Sequence, residues 1–273
     1  MLLKIGETFG HAVDNHGKPA WRDRTDKRCP FRDAPCNKRN KSDPLGICSF
    51  AAEKQATVVC PSRFLEKNQV FRDAARLAFG PGVKTAAVPE VRVLTIPGPK
   101  PKKIGKIDFM LTALDSEGKP QDFAALEIQA VYISGKSIKP AFDYYMKNRK
   151  LPNDASRRPD FRSSAQKRLM PQLSLKVPIF RRWGKKFFVA VDETFFDEMP
   201  TMREVDGVEN SEVTWLVYGF EKESGNFVMR LKRPVFTQWD EVVTALREGV
   251  APKPAEMLTE LTSSLGRARI VLP

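Results

Sequence analysis

The feature that most constrains this chain is a pair of apolar runs, each interrupted by a carboxylate. Residues 107–114 and 123–133 are dominated by β-branched, aromatic and aliphatic side chains. Each fits a strand buried on both faces. Between them stands Asp115-Ser116-Glu117-Gly118-Lys119-Pro120, a polar segment with Gly and Pro that reads as a hairpin connection. Asp108 lies near the start of the first run and Glu127 in the middle of the second, with Gln129 two positions on. An unpaired buried carboxylate costs several kcal/mol, so such a group is neutral, paired or bound to a metal. The strand period puts Glu127 and Gln129 on one face, where a neighbouring strand can bring Asp108 beside them. Two carboxylates and a polar amide make an oxygen-rich site suited to Mg²⁺, which activates water and shields phosphate. The competing reading has both acids at strand ends, facing solvent or an arginine.

The chain has 273 residues, enough for one large domain or a domain with an appended module. No apolar run approaches the roughly 20 residues of a membrane helix, and the start lacks the pattern of a signal peptide. The expectation is a cytoplasmic protein away from membranes. The formal charge of +13 is uneven. Residues 136–186 hold 15 Lys or Arg against three acids, a net of +12, whereas residues 187–273 carry a net of −6. A basic patch of this kind suits a polyanion partner, although a solvated helical face has the same composition.

All four cysteines (Cys29, Cys36, Cys48 and Cys60) fall within residues 1–62, a polar stretch with little periodicity. In a reducing compartment the cluster favours a metal over two disulfides or free thiols. Tetrahedral thiolate sites suit Zn²⁺ or iron, and the spacing does not separate the two. The expected modules are therefore residues 1–62, a four-cysteine metal site, and residues 63–273, the acidic-site domain.

Further along, residues 63–80 show helical recurrence ended by Gly80-Pro81-Gly82, with Glu66 inside. Glu90 opens an apolar run, residues 91–96, that reads as a strand before the Asp108 strand. Residues 97–103 are a stiff basic loop. Either glutamate is a candidate extra carboxylate, with surface exposure as the simpler role. Residues 138–149 and 160–173 read as helices, with Asp160 as a cap and Pro171 ending or kinking the second. Residues 185–195 read as a strand, and 212–221 with 225–232 as a hairpin. Residues 238–249 and 255–265 read as closing helices. Ser134-Gly135-Lys136-Ser137 lacks the earlier glycine of a phosphate-binding loop. His11 and His16, the two histidines, lie far from any nucleophile-elbow pattern. The element order makes the fold mixed α/β (α+β), with the acids on a central mixed sheet flanked by helices.

These residues resemble a known family. Asp108 on one strand and Glu127-Ile128-Gln129 on the next are similar to the PD-(D/E)xK nuclease core in its Glu-x-Gln variant. Glu7-Thr8-Phe9-Gly10, Cys29-Pro30-Phe31, Pro35-Cys36-Asn37-Lys38, Asp43-Pro44-Leu45-Gly46-Ile47-Cys48-Ser49 and Cys60-Pro61-Ser62-Arg63-Phe64 resemble the N-terminal module of NotI-type restriction endonucleases. The likeness covers about residues 7–135. It implies a type II restriction endonuclease: a homodimer that cuts double-stranded DNA at a palindromic site with Mg²⁺. It implies that Asp108 and Glu127 hold Mg²⁺ and that Gln129 stands where the superfamily has lysine. It also implies iron in a structural role at the four cysteines, with zinc the alternative. A neutral Gln supplies no positive charge, so the metal and a nearby cation, with Lys106 a candidate, must supply more stabilisation. In the basic segment, Lys136, Arg157, Arg158, Arg162 and Lys167 are the candidate DNA contacts. The alternative is a DNA-binding protein that does not cut, with structural acids.

Overall fold

A computed structural model describes residues 3–38, 43–52, 55–247 and 252–267. In chain order, β1 (Leu3–Thr8), β2 (His11–Ala12), α1 (Lys18–Thr25), β3 (Arg28–Cys29), β4 (Ala34–Pro35), β5 (Ile47–Ala52) and β6 (Gln55–Val58) form the cysteine-bearing region. A 3-10 segment, Pro61–Asn68, then leads into α2 (Gln69–Phe79). The single helix expected over 63–80 is thus broken. Glu66 and Lys67 leave helical geometry, and Lys67 and Asn68 take φ of 50° and 56°. The break lets the Glu66 carboxylate accept from Arg63 and from the Met229 backbone N–H.

The expected meander follows as β7 (Thr85–Ile96), β8 (Lys102–Leu114) and β9 (Pro120–Ile128). β7 and β8 are longer than their apolar runs, because they extend as a pair into the basic stretch. β10 (Tyr132–Ser134), α3 (Lys139–Asn148) and β11 (Ser156–Asp160) come next. A π-helical segment, Ser163–Leu169, then runs straight into α4 (Met170–Trp183). Pro171 therefore does not end the helix. A proline in the first turn of α4 lacks a donor that the wider π turn before it does not require, and the helix continues through Pro178 as well. β12 (Phe187–Asp192) and α5 (Glu193–Asp197) divide what reads in sequence as one strand. Asp192 turns the chain, its carboxylate accepting from the Phe195 N–H as a helix cap. β13 (Val213–Glu223) and β14 (Asn226–Thr237) form the expected hairpin. Its turn sits on Ser224 and Gly225, both at positive φ, as two-residue hairpin turns require. α6 (Trp239–Arg247) and α7 (Pro254–Ser264) close the chain. Residues 248–249 of the expected α6 span lie outside the described residues.

The sheet has twelve strands, ordered β10-β11-β1-β5-β6-β13-β12-β9-β8-β7, with β14 on β13 and β2 on β1. It is mixed: β12 runs parallel to both β13 and β9, and β8 and β7 continue antiparallel. β3 and β4 form a separate two-stranded sheet, whereas β1, β5 and β6 are continuous with the rest through a bridge from Gln55 to Glu221, so residue 62 marks no break in the large sheet. Strand alternation sorts the core into two layers. Ala125, Phe187, Val189 and Val191 face Leu173, Val177 and Phe180 of α4. Leu111, Leu126, Phe188 and Ala190 face Phe64, Val70 and Ala74 of the 3-10 segment and α2. A third cluster joins Phe9, Cys29, Cys36 and Phe50 to Phe142 of α3.

Candidate active site

The ladder between β8 and β9 pairs Phe109 with Leu126. Asp108 and Glu127 lie just beyond that last pair, and hydrogen bonds join them. The carboxylates reach across the strands. The Asp108 N–H donates to Glu127 Oε1 at 3.3 Å, and the Ile128 N–H donates to Asp108 Oδ2 at 3.0 Å. Glu127 is 3% exposed and Gln129 8%, while Asp108 is half-buried and opens onto a cleft. Gln129 has just left the strand. Its N–H donates to the Ala190 carbonyl, and its side-chain Nε2 donates to the Ala130 carbonyl at 2.6 Å. That leaves the amide oxygen as its acceptor.

The third partner comes from α4. Lys176, 4% exposed, donates from Nζ to Glu127 Oε1 at 2.8 Å and to Gln172 Oε1 at 3.1 Å. Burial, followed by the negative charge of Asp108, pushes the Glu127 carboxyl up to about 7, and Lys176 only partly offsets this. Two acids side by side, with one ammonium on Glu127, leave the site short of positive charge.

The cleft has a volume of about 1240 Å³. Asp108, Gln129 and Glu90 line it from the sheet, Lys167, Arg168 and Gln172 from the helical wall, and Arg32 and Asn37 from the cysteine region. Glu90, on β7, stands across the ladder from Asp108 but is exposed and engaged by Lys106 at 2.7 Å. Lys106 therefore serves Glu90, and Lys176 is the cation beside Glu127. Glu66 is held away from the cleft by Arg63 and Met229.

The basic candidates separate. Lys167 lines the cleft beside Arg168, whose guanidinium lies 4.0 Å over the Tyr132 ring. Arg158 and Arg162 line a different cavity of about 770 Å³ with Thr57, Asp197 and Glu198. Arg157 donates to four backbone carbonyls, those of Lys136, Ser137, Asp154 and Ser156, and so pins its own loop. Lys136 is exposed beside it.

Cys29, Cys36 and Cys48 are buried, Cys60 is half-buried, and none forms a disulfide. Burial pushes the first three thiols up, and charge on Cys60 adds to the rise in each, so the four are electrostatic neighbours. The Gly10 N–H donates to Cys48 Sγ at 3.3 Å. Gly10 has a φ of 81°, and a Cβ there would meet the Pro30 ring at 2.3 Å, so the approach requires glycine. Among the described residues, no group of three or more His, Cys, Asp or Glu side chains is arranged as a metal cage. The Asp108–Glu127 pair does match the demand of Mg²⁺, which takes one or two carboxylates and completes its shell with water and phosphate.

The sequence model of the restriction endonuclease NotI family matches residues 16–229. The chain belongs to the NotI restriction endonuclease family. The match spans the four cysteines, the Asp108–Glu127 pair and the α4 helix. A protein of this family is a restriction endonuclease, a nuclease that acts on DNA. A search of curated proteins returns no match. Among the described residues, no helix of this NotI-family chain is long and apolar enough to cross a membrane.

Proposed function

We propose that this protein is a type II restriction endonuclease that cuts both strands of DNA at a palindromic site, as a Mg²⁺-dependent homodimer with a PD-(D/E)xK core. The observation that carries the reading is the adjacent Asp108–Glu127 pair, joined across two strands beside a basic cleft. Bound by Asp108 and Glu127, Mg²⁺ would shield the phosphate and lower the pKa of a water. The chain's own groups do the rest. Asp108, fixed by the Ile128 N–H, presents a carboxylate to the cleft. Gln129 offers an amide oxygen that orients water. Lys176 supplies the positive charge that Gln129 lacks, next to the reacting phosphate. Lys167 and Arg168 bind the flanking backbone. Hydrolysis in line leaves 5′-phosphate and 3′-hydroxyl ends.

The four cysteines in this proposal hold one structural iron or zinc. The thiols' burial and lack of disulfides support it. Element analysis of the purified protein should find about one such metal per chain. Metal-free protein with intact function would remove this part.

Phage DNA incubated with Mg²⁺ should give discrete fragments, and with Ca²⁺ a mobility shift only. Sequencing the fragment ends then gives the site. Binding without fragments under every divalent metal would leave a DNA-binding protein that does not cut, and the nuclease assignment would fall.

A further inference from the structure

We infer that the outer half of the β7–β8 hairpin is a DNA-contacting arm, an inference that rests on the nuclease reading for its direction. β9 pairs with β8 only from Phe109 onward. Beyond Asp108, among the described residues, the two strands pair only with each other, from Val91–Ile107 to Ile96–Lys102. Six residues per strand span about 20 Å from base to tip. The base is anchored: Ile107 is fully buried, and Val93 and Leu94 pack against the α4-side core. The outer end is not. Every residue from Thr95 to Lys103 is exposed, including Ile96 at 48%.

The charge on this ribbon is of one sign. Residues 91–107 contain Arg92, Lys100, Lys102, Lys103 and Lys106, and no acid. A bare two-stranded ribbon is marginal alone, and lysines on an edge strand also serve to discourage aggregation. Position distinguishes the two roles. The ribbon begins at Asp108 and Glu90, which line the cleft, so a phosphate at Asp108 puts the continuing duplex alongside it. A two-stranded ribbon fits the DNA major groove, and a duplex carries one charge per about 1.7 Å of its axis for these lysines to meet. Guarding an edge would not require that placement.

Two matched variants test this. K102Q/K103Q removes two charges from the arm. K84Q/K119Q removes two exposed lysines at the far end of the same strands, Lys84 just before β7 and Lys119 in the β8–β9 turn. Binding of a mixed-sequence duplex is measured in Ca²⁺ across a salt series, with thermal melting as the folding control. K102Q/K103Q should weaken binding about tenfold near 0.1 M salt and make the salt slope shallower by about two, as expected for two lost phosphate contacts. K84Q/K119Q should match the wild type. Equal behaviour of the two variants, or wild-type affinity and slope in K102Q/K103Q, would overturn the arm. Cleavage in Mg²⁺ keeps the two ideas apart. A wild type that cuts, with an arm variant of unchanged affinity, removes the arm alone. A wild type that never cuts, with an arm variant of reduced affinity, removes the nuclease reading and leaves the arm.

Discussion

Two buried acid–base pairs in this molecule have the same ingredients and different endings. Glu7 and Arg63 are 0% and 1% exposed, and Glu127 and Lys176 are 3% and 4%. Around Glu7 the polar groups close on themselves. Arg63 Nε donates to both of its oxygens, at 3.0 and 3.1 Å, and Ser49 donates at 2.7 Å. The rest of the guanidinium reaches Glu66 and the Phe227 carbonyl, and its faces lie over Phe31 and Phe220. Burial works to lower the Arg63 guanidinium, but Glu7 and Glu66 overcome it and raise it. Around Glu127, the hydrogen bonds among the described residues all fall on Oε1, and Lys176 shares the neighbourhood with a second acid, Asp108. A complete network fixes a fold. An acid pair with one cation and an open side is poised to take a second cation. Burial is common to both, so the count of partners separates structure from chemistry.

The largest expected effect follows from the open pair. Asp108→Ala and Glu127→Ala should each reduce cleavage in Mg²⁺ by about 10³-fold or more, the scale of losing a metal site's charge stabilisation. Duplex affinity of the folded protein should stay near wild type, as should the melting temperature of Asp108→Ala; Glu127→Ala, which leaves Lys176 buried without its acid, should also melt lower. Full activity in either variant would end the site assignment. The closed pair should give the opposite profile. Arg63→Met leaves Glu7 buried with no cation, a loss of about 3–5 kcal/mol by denaturant unfolding. Turnover per folded molecule should hold. If Arg63→Met were as stable as the wild type, partner count would be the wrong criterion.

Lys176 sharpens the contrast. Lys176→Met should lower single-turnover cleavage by about 10²-fold, the range for one preorganised transition-state donor. Lys176→Arg should restore part of it. A merely structural lysine would lower stability and leave the rate of the folded fraction unchanged.

Much of this site was legible in the sequence, and its cation was not. The turn from Asp115 to Pro120 and the two apolar runs set β8 against β9. That pairing places Asp108 beside Glu127. Lys176 is 49 residues from Glu127 in a stretch crowded with bases, where composition cannot single it out. A signal existed. Leu169, Leu173, Val177 and Phe180 form the buried stripe of one helical run, and Lys176 falls inside it. Reading Pro171 as a helix end hid that stripe. The outer β7–β8 ribbon was half legible: residues 91–96 read as a strand, but Lys102 and Lys103, which open β8, fell in the Pro- and Lys-rich stretch that reads as a loop. The break in the 63–80 helix arises from contacts of Glu66 with Arg63 and with β14, which local periodicity does not report.

Asp192 extends the comparison to a carboxylate with hydrogen-bond donors and no cation. It is fully buried at the end of β12, accepting from the Phe195 N–H, the Thr194 hydroxyl and the Val58 N–H at 3.3 Å. Burial outweighs these donors and pushes its carboxyl from 3.8 up to about 6. The folded protein therefore keeps this proton over a pH range in which the unfolded chain has lost it. The resulting stability is complete below about pH 4 and is lost as pH rises through about 6, by up to about 3 kcal/mol between those limits. Asp192→Asn cannot ionise and should lack this slope. Its oxygen still caps α5, while its NH₂ meets the Val58 N–H, so it starts from lower stability. The gap between wild type and Asp192→Asn, followed by urea unfolding from pH 4 to pH 8, should narrow. A gap that widens with pH would mean that three donors alone stabilise a buried carboxylate here, and that Glu127 needs no added cation to ionise at neutral pH.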